Sequence, residues 1–437
     1  MVTIKAAFTL QSMKRFNDMT LNVLRPLYAA AVLVLMAGCS SNTWQTHAMP
    51  NNSDVADMLA GGQPAGFSWQ LDEASYPQFT VPQNVRPCCA FGDMQTVKLG
   101  PVPVPFFRLN NVVGLDDIGP HKFASGIYHY TSSSSSALDH GGSENNGILY
   151  TEKGGFIDLA HVRDTADDTI GLFFEILANI GKAHRIELPA ELGPRYIEMK
   201  AFDVTSMTDE HKWSVAAQLA ARLAYFKAES HEIAQWHGYT SFSAWPETIS
   251  AYSLEDLYSN MLGAKIALSL IQQRKVLSEK EYNQNVTLWL NASLQQLGIV
   301  DKSQTKEVLA AVDGKWWTSK ESIPNKYMVM KRHYDLGDQQ TPHLLTRELL
   351  DDQFEHLQPL ATASATVIAL PARAESLVLD SIASLVLEIT PRYAGTFSHI
   401  PEQVWSDGIV HTEFPIIARY AEQQDNKELE AKGVGND

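Results

Sequence analysis

The sequence predicts an α+β fold, with a central helical bundle flanked by short strands and hairpins supplied from both ends of the chain. Three observations carry this reading. Five segments between residues 158 and 312 place apolar residues at helical spacing, the stretches around them are short, turn-broken and strand-like, and no internal repeat is visible. With 437 residues, 45% of them hydrophobic, the chain can bury one large core or two ordinary ones.

The first element is a leader. Lys14, Arg15 and Arg25 precede an apolar run from Ala29 to Met36 that is too short to span a bilayer, and small residues lead to Cys39. Met36-Ala37-Gly38-Cys39 resembles the lipobox of bacterial lipoproteins, so residues 1–38 are expected to be a lipoprotein signal peptide and Cys39 the lipidated new N-terminus. Met13 or Met19 as the start would give a signal of more ordinary length. Ser40, where an aspartate would favour inner-membrane retention, points to the outer membrane of a Gram-negative envelope, facing the periplasm. Loss of residues 1–38 removes four basic and one acidic residue and takes the net charge from −16 to −19. Such a chain is a poor nucleic-acid binder and a poor fit to anionic lipid, so its expected membrane partner is reached through the lipid anchor alone.

Residues 39–82, rich in Asn, Ser, Gln, Gly and Pro, read as a flexible tether with a reach of roughly 35 Å. Residues 83–420 read as a single α+β domain and 421–437 as a polar, frayed tail. Cys88 and Cys89 are adjacent, and a bridge across their ~3.8 Å Cα spacing would be strained. Reduced structural thiols, a vicinal disulfide and a metal or redox role all remain open for them.

Val97–Phe107 is proline-broken and fits an edge strand, and Thr131–Ser143, with five consecutive serines, fits a loop. Hairpins are expected around Lys153-Gly154-Gly155 and between residues 184–188 and 195–199. Helices are expected over about 158–180, 209–237, 253–273, 279–297 and 303–312, the third capped by Ser253. Leu385, Leu387 and Ile389 alternate as in a strand. The second helix is expected to be central. Val215, Leu219, Leu223, Phe226 and Ile233 form one stripe, five alanines from Ala217 to Ala228 the other, and only Gln218, Arg222, Tyr225 and Glu229 look fit for water.

Chemistry is sought on two helices. His161, Asp164 and Asp168 fall within about 60° of one another, the way one helix offers ligands to a metal and also the way a solvated face looks. His231 falls in the alanine face and needs a partner, since burying it unpaired costs on the order of 1–3 kcal/mol. His231-Glu232 invites comparison with HExxH zinc proteases, but Gln235 stands where the second histidine belongs, and His237 is about 240° further round. A second ligand would come from His161, with Asp164, Glu247, Glu255 or Asp256 as carboxylates and Glu232 as catalytic base. If the site is real, the two imidazoles should lie within about 7 Å and hold a divalent ion such as zinc. Two functions stay open: a metal-dependent hydrolase, or a non-catalytic envelope binding or assembly lipoprotein whose histidines and carboxylates form a structural network. Trp236, Trp245, Trp316 and Trp317 fit a core or a carbohydrate groove. The sequence has no G-x-S-x-G elbow, phosphate loop or dinucleotide fingerprint.

Pro87-Cys88-Cys89-Ala90-Phe91-Gly92, Gly119-Pro120-His121, Gly154-Gly155-Phe156-Ile157-Asp158 with His161-Val162-Arg163-Asp164, His231-Glu232-Ile233, and Ser253 with Glu255-Asp256-Leu257-Tyr258-Ser259-Asn260 together resemble the domain-of-unknown-function 4056 family of bacterial envelope lipoproteins. The resemblance spans roughly residues 85–415. It implies a lipoprotein with a single domain and supplies no catalytic residues.

Overall fold

Most of the long helices begin at a side chain that can accept hydrogen bonds from the free N–H groups of a first turn. In this computed structural model, which describes residues 50–62, 77–86, 90–100, 102–125, 144–241 and 246–432, seven α-helices of eight or more residues organise the described chain. They are α1 (Asn52–Leu59), α2 (Leu159–Ala178), α3 (Asp209–Trp236), α4 (Asp256–Gln272), α5 (Glu279–Gln296), α6 (Lys302–Ala311) and α7 (Phe414–Ala431). Asp158 caps α2 through Ala160 N at 2.6 Å, Thr208 caps α3, Ser278 caps α5, and Asp301 forms a capping box with Gln304 on α6. The leader with Cys39, the Cys88-Cys89 pair, the serine loop and Trp245 lie outside the described residues.

α2, α3 and α4 pack against one another and bury the centre of the unit Pro50–Asp437. The α2–α4 crossing is close because Gly263 has no side chain; a Cβ there would collide with the Val162 carbonyl. Thr165 Oγ1 and Asn260 Oδ1, 2.7 Å apart, lock the same crossing. A four-stranded antiparallel sheet runs in the order Ile409–Val410, Ala383–Leu387, Arg195–Met199, His184–Leu188, with Ile197 paired to both Leu385 and Ile186. Buried Leu385 and Leu387 bear out the alternation, and Ile389 falls beyond the strand. A second apolar cluster gathers Phe91, Tyr150, Phe156, Trp316 and Trp317. Trp236, Trp316 and Trp317 are all buried, which removes them from any groove. The fold is α+β, as the sequence predicts.

The structure departs from expectation at both ends. Within the expected tether, Asn52–Leu59 is helical with Val55, Met58 and Leu59 buried, and Phe79 and Val81 are also buried. Within the expected tail, residues up to Ala431 continue α7, with Ala421, Asp425 and Leu429 facing inward. In both places apolar residues one helical turn apart were too sparse to stand out of a polar composition. The strip of α3 expected to meet water is also buried. Gln218, Arg222, Tyr225 and Glu229 are at most 3% exposed, because the C-terminal third of the chain covers them, Arg222 pairing with Asp338 and Asp380 at 2.7 Å each.

Candidate metal centre

α4 starts differently from the other helices. Ser253 does not cap it; its hydroxyl donates to Glu255 Oε2 at 2.7 Å, and the helix opens at Asp256 without a side-chain cap. The turn before it is held in place from outside. Arg332 donates to the carbonyls of Ile249 and Ala251, His333 N donates to the carbonyl of Tyr252, and Tyr252 itself sits at φ +55°, a conformation that costs a bulky residue roughly 1–3 kcal/mol. The N–H of Tyr252 donates to Glu232 Oε2 at 2.7 Å. Strain and clamps therefore fix the start of α4 against the last turns of α3.

At that junction His161 of α2, Glu232 of α3 and Asp256 of α4 each present one ligand atom, all within 4.8 Å of one another. His161 Nδ1 lies 3.3 Å from Asp256 Oδ1 and 3.6 Å from Asp158 Oδ1. The buried atoms His161 Nδ1, Glu232 Oε1, Glu255 Oε1 and both carboxylate oxygens of Asp256 have no hydrogen-bond partner. Burial pushes the Asp256 carboxyl well above the usual range, and Glu255, Glu232 and Asp158 add to that against the opposing His161. Burial likewise pushes Glu255 up to about 8 and raises Glu232. His161 goes the same way for the opposite reason: burial disfavours its cation, but Asp256, Asp158 and Glu232 outweigh burial and hold its pKa well above 6.5. The cluster thus retains protons to offset crowded negative charge, which is the situation a bound cation relieves.

The expected ligand set changes accordingly. His161 and His231 do line one cavity of about 50 Å³, together with Glu232, Asp164, Asp168 and Lys227. His231, however, is already engaged at both nitrogens, Nδ1 to Glu191 Oε1 at 2.7 Å and Nε2 to the Gln235 amide at 3.0 Å. Arg195 holds the far side of Glu191 at 2.7 Å. Asp164 is tied to Arg86, and Glu247 accepts from Ser241 N and Gln235, so neither turns to His161. Glu255 sits beside the cluster without joining the close trio. Glu232, expected as a base, stands at a ligand position. Asp256, one of several carboxylates the sequence offered, is the one delivered. Nothing in the helical phase could rank it, because its approach to His161 depends on the crossing at Gly263.

A second polar cluster is built on α2 next to the first, and its Arg86 and Asp164 line the same cavity as His161. Arg86, 3% exposed, meets Glu144 at 2.9 Å, Asp164 at 2.5 Å and Asp167 at 2.9 Å. His121 and the Tyr282 hydroxyl add bonds of 2.7 and 2.8 Å to Asp167 Oδ1. The solvated-face reading of α2 thus fails: Asp168 is buried too, paired with Lys227 at 2.6 Å, because the Val85–Arg86 segment and α3 cover that face. Sequence reasoning missed Arg86, Asp167 and His121 as a set, since they come from three distant stretches.

A family model described as a protein of unknown function (DUF4056) matches residues 76–346, more than half the chain. The chain belongs to this family. The matched segment of this DUF4056 protein contains His161, Glu232, Asp256 and the whole Arg86 cluster, whereas strands Ala383–Leu387 and Ile409–Val410 and α7 follow it. No curated protein and no solved structure matches the chain. Among the described residues, no helix is long and apolar enough to cross a membrane.

Proposed function

We propose that this DUF4056 protein is a metal-dependent hydrolase in which His161, Glu232 and Asp256 hold one divalent ion, zinc being the best match to a nitrogen and two carboxylates. The single observation that carries the reading is a trio of ligand atoms within 4.8 Å in which Glu232 Oε1 and both Asp256 oxygens are buried without a hydrogen bond. Ligands at ~2.0–2.2 Å from a common ion lie about 3–3.5 Å apart, so the trio would close by roughly 1.5 Å. A bound ion would supply an acidified water for attack on an ester, amide or similar bond. The chain supplies the rest. Tyr252 N orients Glu232, Asp158 and the first turn of α2 hold His161, and the adjoining cavity leaves room for a few waters and a small polar group. Lipidation at Cys39 and attachment to the outer membrane, facing the periplasm, complete the proposal; they are supported by the leader's charge and hydropathy pattern.

Metal content decides the central point. Untagged protein is expected to carry close to one equivalent of zinc, manganese or iron after purification, and His161→Ala is expected to carry none. Wild-type protein with no metal, and no rise in melting temperature on adding these ions, would leave the trio as a buried polar arrangement. One observation favours that second, non-catalytic reading: Glu191 bonds both His231 and Arg195 at the same cavity. Cys39→Ser is expected to release the protein from the membrane fraction, and a chain that stays bound would refute the anchor.

A further inference from the structure

Apart from the site, the structure carries an apolar projection with no internal use. Thr96–Leu99 and Val102–Pro103 form an antiparallel hairpin, and the segment leads on to Phe106 and Phe107. Leu99 and Val102 are each 63% exposed, Phe107 48% and Phe106 102%, the last held outward at φ +64°. A phenylalanine that touches nothing, in a backbone conformation unfavourable for it, is not held there by packing. Single exposed apolar residues need no explanation, but here four of the eight exposed large ones among the described residues lie between Leu99 and Phe107.

We propose that this segment, residues 96–100 and 102–107, is a docking element for a phospholipid bilayer, inserting Leu99, Val102, Phe106 and Phe107 at the headgroup boundary. Hydrogen bonding and charge each favour lipid over a second copy of the chain. The segment's edge cannot template another strand: Pro103 and Pro105 have no N–H, and that of Val104 is bonded inward to Val97 O at 2.8 Å. Met94–Arg108 holds two basic and no acidic residues in a chain of net charge −16, and both of them, Lys98 and Arg108, are exposed beside the apolar tip where lipid phosphates would lie. The contact is local and weak, suited to orienting a domain on a surface. It rests on neither the metal reading nor lipidation.

The test uses residues 40–437, which contain the whole compact unit and no lipid site. Co-flotation is measured with vesicles of phosphatidylcholine and with vesicles that also contain phosphatidylglycerol. The chain is expected to float with both, and Phe106→Ser combined with Phe107→Ser is expected to lower the bound fraction about tenfold at an unchanged melting temperature, since both side chains are exposed. Absence of flotation, equal flotation of the double variant, or a wild-type dimer in light scattering that the double variant abolishes would each overturn the proposal.

Discussion

The two polar clusters on α2 use the same chemistry to opposite ends. Around Arg86, each of the six oxygens of Glu144, Asp164 and Asp167 receives at least one donor. Around His161, four of the six oxygens of Glu232, Glu255 and Asp256 receive none. Titration follows this only in part. Asp167 stays below the usual carboxylate range, where burial is outweighed by His121 and Arg86, and Asp256 is driven far above it, but burial outweighs Arg86 at Asp164 and pushes it up to about 6. A buried charge that is fully bonded holds a structure together; a buried charge left open must hold a proton or something from outside. Burial alone therefore does not mark a site, and neither does a dense set of acids. The useful mark is unmet bonding capacity that the fold has strained and clamped a turn to create.

The largest expected effect lies in the closed cluster. Arg86→Ala leaves the buried carboxylates of Glu144 and Asp167 and the part-buried one of Asp164 without their shared cation and should cost about 3–5 kcal/mol, enough to unfold many domains, with the same loss in chelator and in excess zinc. Chemical denaturation under the two conditions checks it. A milder loss, or one that zinc reverses, would mean the two clusters are not separate in kind.

The open cluster should respond with the opposite sign. Asp256→Asn removes one of several crowded carboxylates, so in chelator it should leave the fold as stable or about 1 kcal/mol more stable, whereas most buried polar substitutions destabilise. With zinc at about a hundred times its dissociation constant, wild type should gain about 2.7 kcal/mol and the variant nothing. Thermal melts with and without zinc read both numbers. A variant that is strongly destabilised in chelator would show that Asp256 is structural.

Local pattern was enough for the parts of the molecule built locally. Five helices and two hairpins follow from the spacing of apolar residues and from turn residues such as Lys153-Gly154-Gly155, all within one element's reach. Glu232 stands out through its neighbour His231, a histidine on an apolar face, and His161 through the carboxylates Asp164 and Asp168 that share its side of the helix. What the sequence could not rank was the partner. Asp256 meets His161 only because Gly263 lets α4 approach α2, and Asp164, the better choice by helical phase, is captured by Arg86 from a segment 78 residues earlier. His231 was misread for the same reason, its partner Glu191 lying 40 residues upstream in a loop.

The smallest expected effect concerns a carboxylate that belongs to neither cluster. Glu229 lies one turn before Glu232 on α3, is fully buried, accepts from Gly337 N at 2.6 Å and has no bond at Oε2. Burial pushes it up to about 8, against the pull of Gly337 N and Tyr225. Because its folded pKa lies above the ordinary value of about 4.3, the native state holds the proton more tightly than the unfolded chain does, so its contribution is fully present below about pH 4 and is lost as pH rises through 8. Glu229→Gln keeps the shape and removes the charge. The variant should stay close to wild type near pH 5 and become the more stable of the two as pH rises through 8, with no change in zinc response. Denaturation midpoints across that range test the slope, and zinc titration tests the rest. If Glu229→Gln also abolished the zinc response, the open cluster would extend a full turn along α3, and unmet bonding at a single isolated carboxylate would have to count as part of the site.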